Sequence, residues 1–580
     1  MAGTTRPLLL AAAGIVAASL LVAASPASGR VAPPAQANAR PVQPSTAAAN
    51  DEPSELFGES LDVTVVNVDV YVTDKAGNRV QGLTKDDFEL SEDKKPVQIT
   101  NFYAIEAGRP ARQPDPDGVA APAVPGAPWA AEEIPDEQRL SLIVYVDNFN
   151  LRPFNRNRIL RELRQFLGER VRPGDRVMLV SYDRELHVRR GFTSDPLVIA
   201  AALFELEKLS AQGTQADSAR RDILEAIDEA EDVSAVHGRV RGYADSLFND
   251  LEFTVSALRD LVEQTAGLPG RKAILYVSDG LPMRAAEDVF HALAIKFPQK
   301  TSLLEAQPYD ASRRFSELAN QANANRVSFY TLEATGLRVS AATDASQSNP
   351  GLGMEVEQIH FANLQSTLQM LADKTGGVAI LNANQVLPQL ERAADDFQSY
   401  YSLGYSPAHG GDGRYYRIEV KSKRKGLTVR HREGYRDKPV DSRMSDGVLA
   451  NLRFGGDANS MGVNLEVGAT ARRSDGLYSV QLTVRVPIGK VLLVPRAALH
   501  EGRVTVYVAA LDEEGETSEV GNAPVAIRIP PDQVEETSKR YYAYSLTLVM
   551  RKGEQRVAVG VRDDLAGTTA FLSKSLRVGS

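Results

Sequence analysis

Hydrophobic positions follow two different rhythms along this chain. Val63, Val65 and Val66 lead into Val68, Val70 and Val72, largely with period two, which predicts a half-buried strand. A turn at Asp74-Lys75-Ala76-Gly77-Asn78 follows, then short strands at Phe88-Glu89-Leu90 and Val97-Gln98-Ile99. From Leu140 the pattern changes. Leu142 to Val146, Val177 to Val180, Ala273 to Val277, Val327 to Leu332 and Val378 to Leu381 are continuous apolar runs, as on strands buried on both faces. Between them apolar residues recur at helical spacing: Ile159, Leu160, Leu163, Phe166 and Leu167; Pro196 to Leu209; Ala216 to Glu263; Phe315 to Asn323; Leu364 to Lys374; and Val386 to Phe397. Strands alternating with helices predict a parallel sheet covered on both faces. From Tyr400 the period returns to two. Tyr478, Val480, Leu482, Val484 and Val486 alternate, as do Val504, Val506 and Val508, and Val557, Val559 and Val561. Short strands at this spacing predict an antiparallel, immunoglobulin-like β-sandwich.

Polar tracts divide these regions. Arg6 precedes an apolar run from Leu8 to Ala24, and Ser25-Pro26-Ala27 places small residues ahead of a cut after Ala27, the pattern of a secretory signal peptide. An uncleaved N-terminal membrane anchor is the alternative. The expected organisation is a signal peptide over 1–27, a flexible linker over 28–56, and a small β domain over 57–106. A Pro/Ala linker over 107–137 carries Trp129, the only tryptophan. An α/β domain with a C-terminal β extension covers 138–436, and a β-sandwich covers 437–580. Export to the periplasm or the exterior is implied, with no membrane span in the mature chain.

Composition narrows the chemistry. The 580 residues are 43% hydrophobic and 24% charged, a globular balance. No cysteine is present, which removes disulfides, thiol nucleophiles, zinc–thiolate sites and lipid attachment through Cys. A formal net charge of -9 is a poor match to nucleic acid. The most basic run, Lys421 to Lys425 continuing to Arg430, His431 and Arg432, lacks interleaved aromatics and reads as protection of a sheet edge.

Several motifs occur in a telling order: Val144-Tyr145-Val146-Asp147, Gly174-Asp175-Arg176-Val177, Gly213-Thr214 and Ala273 to Gly280. The order resembles the von Willebrand factor type A (VWA) fold. Val70 to Gly77, Gly82 to Phe88, Leu371 to Gly377, Tyr400 to Pro407 and Glu433 to Arg436 make the chain more similar to a bacterial subgroup of VWFA-related domain proteins, over about Leu61 to Arg436. The fold class expected is therefore α/β: a VWA-like (Rossmann-like) parallel sheet flanked by the small β unit and the sandwich.

The resemblance also implies a metal-ion-dependent adhesion site outside the C-terminal strand ends, built from Asp-x-Ser-x-Ser, a Thr and a further Asp. Asp147, Thr214 and Asp279 match the first carboxylate, the Thr and the last Asp, and are the candidate ligands for Mg²⁺ or Mn²⁺. The two serine positions hold Phe149 and Leu151, which cannot ligate. Asn148 and Asn150 have usable carbonyl oxygens but lie one residue out of register. Asp147, Asn148, Asn150, Thr214 and Asp279 together form the candidate partner-binding face. Each of the three matched residues also has a structural reading as a helix cap or an acceptor of backbone N–H groups. The segment Gly280 to Arg314, directly after Asp279, borders that face either as a partner-shaping insertion or as a packed lid.

Catalytic signatures are missing from the sequence: Gly-x-Ser-x-Gly, His-Glu-x-x-His and the P-loop do not occur, and the seven histidines never fall at ligand spacing. The reading is an exported protein-interaction or adhesion-type scaffold that is not an enzyme. The alternatives are a purely structural envelope protein without metal and a hydrolase with an unrecognised carboxylate pair.

Overall fold

The computed structural model describes residues 65–106, 139–170, 175–336, 353–456, 458–496 and 498–579, with the backbone of Arg109–Pro110. The expected signal segment, the first linker, Trp129 and most of the second linker lie outside the described residues. The chain divides into two units, one spanning Val63–Ala458 and one whose described part begins at Asn459 and runs to Gly579.

In chain order the first unit contains β1 (Val66–Thr73), β2 (Phe88–Glu92), the two-residue β3 (Lys95–Pro96), β4 (Asn101–Glu106) and β5 (Arg109–Pro110). The α/β series follows: β6 (Leu140–Asp147), α1 (Pro153–Arg170), β7 (Arg176–Tyr182), β8 (Leu186–Thr193), α2 (Pro196–Glu207), α3 (Gly213–Glu229), α4 (His237–Gln264) and β9 (Arg271–Ser278). It continues with α5 (Glu287–Lys296), α6 (Ser312–Ala324), β10 (Val327–Glu333), α7 (Gly353–Thr375), β11 (Ala379–Ile380) and α8 (Leu387–Gln398). The unit ends with β12 (Tyr400–Tyr405), β13 (Tyr415–Ser422), β14 (Thr428–His431), β15 (Gly434–Arg436) and α9 (Val440–Phe454).

The centre is a six-stranded mixed sheet in the order β11-β10-β9-β6-β7-β8. Neighbours pair in parallel except β8, which runs antiparallel to β7. Counted from β6, this is the doubly wound order 3-2-1-4-5-6 read from the opposite edge, with the winding reversing between β6 and β9. Every position of β6 and β9 is buried, as their unbroken apolar runs require. Helices α1, α2 and α8 cover one face through Ile159, Leu163, Leu203 and Leu390. Helices α4, α6 and α7 cover the other through Leu258, Phe315 and Leu371. β8 was not expected from the sequence, because Leu-His-Val-Arg-Arg-Gly-Phe-Thr mixes charge into a half-exposed edge strand.

The segment after Asp279 is a packed layer. Phe290 and Leu293 of α5 share a satellite core with Ile223 and Ile227 of α3 and Val240 of α4.

The small β domain is discontinuous. β1 lies between β12 and β14, and β12 also pairs with β4; β13 lies between β2 and β15. The strands expected as an extension of the 138–436 domain thus complete the unit expected over 57–106, and one core holds Val68, Val70, Phe88 and Leu90 with Leu403, Tyr405, Ile418 and Val420. β14 is an edge strand, whereas β13 is interior to its sheet. The basic run there is spent on ion pairs: Lys421 with Glu419, Arg424 with Asp87, and Arg430 with Asp396.

The expectation of β structure from residue 437 is corrected by α9, which buries Met444, Val448 and Leu452 at four-residue intervals, the spacing of one helix face. The second unit is all β apart from short helical turns. β16 (Asn464–Arg472), β17 (Tyr478–Pro487) and β21 (Tyr541–Met550) form one sheet. β18 (Val494–Arg496), β19 (Leu499–Leu511), β20 (Gly521–Ile529), β22 (Gly553–Asp563) and β23 (Thr569–Val578) form the other. Both sheets contribute to one core, which includes Val480, Leu482, Val506 and Val559.

Candidate functional site

Asp147 ends β6 and Asp279 follows the last residue of β9, so both lie at the switch point of the sheet, where open α/β folds hold their ligands. The loop 148–152 then turns the chain into α1, whose first residue, Pro153, arrives with φ already fixed for a helix. The same loop receives the start of α3: Gln212 N–H donates to the Asn148 carbonyl at 3.1 Å and Gly213 N–H to the Leu151 carbonyl at 3.0 Å. Gly213 is required there, since a Cβ would stand 2.6 Å from the Leu151 backbone carbon.

Asp147 is fully buried. Its Oδ2 accepts from Tyr276 Oη (2.5 Å), Ser278 Oγ (3.0 Å) and Asn150 Nδ2 (2.8 Å), and its Oδ1 accepts from Asn150 N–H (3.2 Å). Burial pushes its carboxyl above the usual range against the pull of these donors. Asn148 is buried as well; its Nδ2 donates to the Ser210 carbonyl (2.5 Å) and its Oδ1 accepts from Arg156 (2.6 Å). Asn150 turns inward onto Asp147. Asp279 accepts from Arg152 N–H at 2.9 Å and from Asn155 Nδ2 at 3.0 Å. Thr214 stands one residue into α3 with its side chain exposed. Of the two residues at the serine positions, Leu151 is core and Phe149 packs edge-on to Tyr182 beneath the Arg184 guanidinium.

All five sequence-derived positions therefore come to one rim, but four of them face inward. Residues the sequence reading left aside form its outer surface. The Arg152 guanidinium pairs with Asp217 of α3 through Nε and through Nη2, the latter at 2.8 Å. That hydrogen bond raises its pKa, with a smaller contribution from Asp279. Two residues after Arg152, Phe154 is 77% exposed. Further along α3, Arg220 bridges Asp288 of α5 (2.5 Å) and Glu357 of α7 (2.7 Å), and His360 meets Asp288 at 3.3 Å. Arg152 lies directly before α1, and Asp217 and Arg220 are three apart on α3. That spacing was the available signal, although their partners lie far away in sequence.

Burial alone would raise the Asp288 carboxyl, but the His360 ring and the Arg220 guanidinium outweigh it and hold the group at about 2. A depressed carboxylate contributes stability above its ordinary value and loses it as pH falls through the folded value. For a shift of this size the contribution is about 2.5 kcal/mol. The stability advantage of wild type over Asp288→Asn should therefore close as pH falls from about 4 to about 2, which urea unfolding at a series of pH values will measure.

No family model matches the chain, and no curated relative matches it. Among solved structures it is similar to an aerotolerance-related membrane protein from Bacteroides fragilis NCTC 9343, at 12% identity over 44% of this chain and 98% of that chain, with a TM-score of 0.22. BatB from Bacteroides thetaiotaomicron, a conserved hypothetical protein, matches at 11% identity over 44% and 96%, with a TM-score of 0.19. Three N-terminal domains of the type V pili tip protein Mfa5 from Porphyromonas gingivalis match at 11% identity over 89% and 77%, with a TM-score of 0.25. At these scores the likenesses carry no argument about fold or function. Among the described residues no helix is long and apolar enough to cross a membrane.

Proposed function

We propose that the chain is an exported protein-interaction module with a VWA-like core, and that the rim at its switch point docks a protein partner directly, without a metal ion and without catalysis. The doubly wound order with an antiparallel edge strand supports the VWA-like reading of the first unit. The three-stranded sheet opposed to a sheet in which β20 and β22 flank β19 supports an immunoglobulin-like reading of the second.

The donor set argues against a cation. Mg²⁺ needs hard oxygen ligands with free lone pairs in octahedral geometry. Asp147 is already engaged by Tyr276, Ser278 and Asn150, Asp279 by Arg152 and Asn155, and Phe149 and Leu151 offer no oxygen. The rim carries an internal cation, Arg152, beside its carboxylates. The polar groups are spent on holding three loops together, an arrangement that fixes a surface and activates no nucleophile.

The observation that carries the proposal is Phe154, an aromatic 77% exposed in the first turn of α1, two residues after Arg152, where the preceding loop is fixed from beneath. Aromatic and Arg side chains together are the composition of interface anchors. The test is photo-crosslinking in cells with benzoylphenylalanine in place of Phe154, and in place of Phe253, 63% exposed on α4, as control. A discrete adduct from position 154 alone, unchanged by EDTA, is expected. Equal labelling from both positions, or no adduct, would favour a purely structural role; loss with EDTA would restore the metal.

A further inference from the structure

At the opposite ends of the core strands, where β9 and β10 begin, Asp69 and Tyr71 of β1 meet Arg271 beside a cleft. Its walls include Asn67, Asp69, Arg271, Arg326, Ser328 and Arg432. Three of these six are guanidinium groups and one is a carboxylate, so the walls carry a net charge of +2.

The carboxylate is already committed. Asp69 pairs with Arg271 Nε at 3.2 Å, and Arg271 is satisfied on its remaining sides by Tyr71 Oη (2.6 Å) and by the carbonyls of Asp396 (3.1 Å) and Phe397 (3.0 Å). Arg432 donates to the Asn67 carbonyl at 2.7 Å and to the Asn323 carbonyl at 3.5 Å, and pairs with no carboxylate among the described residues. Arg326, held at φ 57°, is exposed and makes no ion pair among the described residues. Behind the cleft Lys272 is buried, its Nζ donating to the carbonyls of Ala266 (3.1 Å) and Leu268 (2.9 Å).

These cations press on one another. Burial first, and then Arg326 and Lys438, bring the Lys272 ammonium down to about 7. Burial and Arg326 bring Arg432 down to about 10. Like charges this close at a half-buried surface repel, and a guanidinium with unfilled donors presents a planar fork that matches an oxyanion. A dianion in the cleft would cancel the surplus charge of its walls and fill those donors together.

We propose that this cleft is a binding site for a small doubly charged oxyanion of phosphate or sulfate type, held between Arg326 and Arg432 with Arg271 at its base. The site lies at the other end of the sheet from the rim, so the two proposals stand or fall separately.

The test is calorimetric titration of the intact protein with inorganic phosphate and, separately, with sulfate, at constant ionic strength set with chloride. Saturable one-to-one binding of either anion is expected, each competing with the other. Arg326→Gln, at an exposed position, should weaken it by about tenfold or more, the scale of a charge-assisted hydrogen-bond pair. Arg432→Gln should do the same. Arg313→Gln, at a side chain 89% exposed and paired with Glu317, should leave it unchanged. Three results would overturn the proposal: no saturable heat from wild type with either anion, an unaltered affinity in Arg326→Gln, or acetate binding as well as the dianions.

Discussion

Asp147→Ala is expected to lower the stability of the α/β unit by about 3 kcal/mol, because it strands buried donors that each cost about 1–3 kcal/mol when unmet. Tyr276 Oη loses its acceptor inside the sheet, Ser278 Oγ keeps only the longer contact to the Gly280 carbonyl at 3.3 Å, and Asn150 loses both of the contacts that turn the loop inward. Urea unfolding should show a lower midpoint with an unchanged slope. The pH dependence follows from the raised carboxyl. A group whose folded pKa exceeds its ordinary value contributes most below that ordinary value, and its contribution shrinks as pH rises through the folded value. The gap between wild type and variant should therefore be widest below the ordinary value of 3.8 and narrow as pH rises above it. An unfolding midpoint identical to wild type, together with a Mn²⁺-binding heat that disappears in the variant, would mean that Asp147 is a ligand and that the metal-free rim is wrong.

Gly377→Ala should have an effect of comparable size or greater. The residue ends the turn between α7 and β11, and a Cβ there would lie 1.9 Å from the Phe329 carbonyl oxygen on β10. No rotamer relieves a clash between two main chains, so β10 and the turn must separate. Thr331 N–H donates to the Val378 carbonyl, and Arg430 donates to the carbonyls of Gly376 and Gly377 at 3.1 and 2.9 Å, so the displacement would reach both the core sheet and the small sandwich. Overpacking a core costs about 1–3 kcal/mol when side chains can yield, and more is expected where only backbone can. A thermal midpoint within a degree or two of wild type would show that the turn is looser than this geometry.

What the sequence made legible was local. The fully apolar runs of β6 and β9 and the helical spacing of Ile159, Leu163 and Leu167 identify a covered parallel sheet, because each depends on neighbours within a few residues. The meeting of Asp147 and Asp279 at one rim was implied by the resemblance, which places both at C-terminal strand ends. The saturation of Asp147 did not, since Tyr276 and Ser278 reach it from a strand 129 to 131 positions away. β8 escaped notice because an edge strand can carry Arg189 and Arg190 without losing its ladder. The pairing of β1 with β12 and β14 escaped because period-two alternation shows that a strand exists, not which strand it joins.

That pairing has a bearing on how the molecule is made. Asn67 and Arg432, which touch through the cleft, are 365 positions apart, and among the described residues the strands that flank β1, β12 and β14, come only after the whole α/β series. During biosynthesis β1 must wait with open edges while the α/β centre assembles between the two halves of the small β domain. Contacts of such long range close late and slowly. A chain cut anywhere between 107 and 399 would strand both pieces of the sandwich, whatever the fate of the sheet between them.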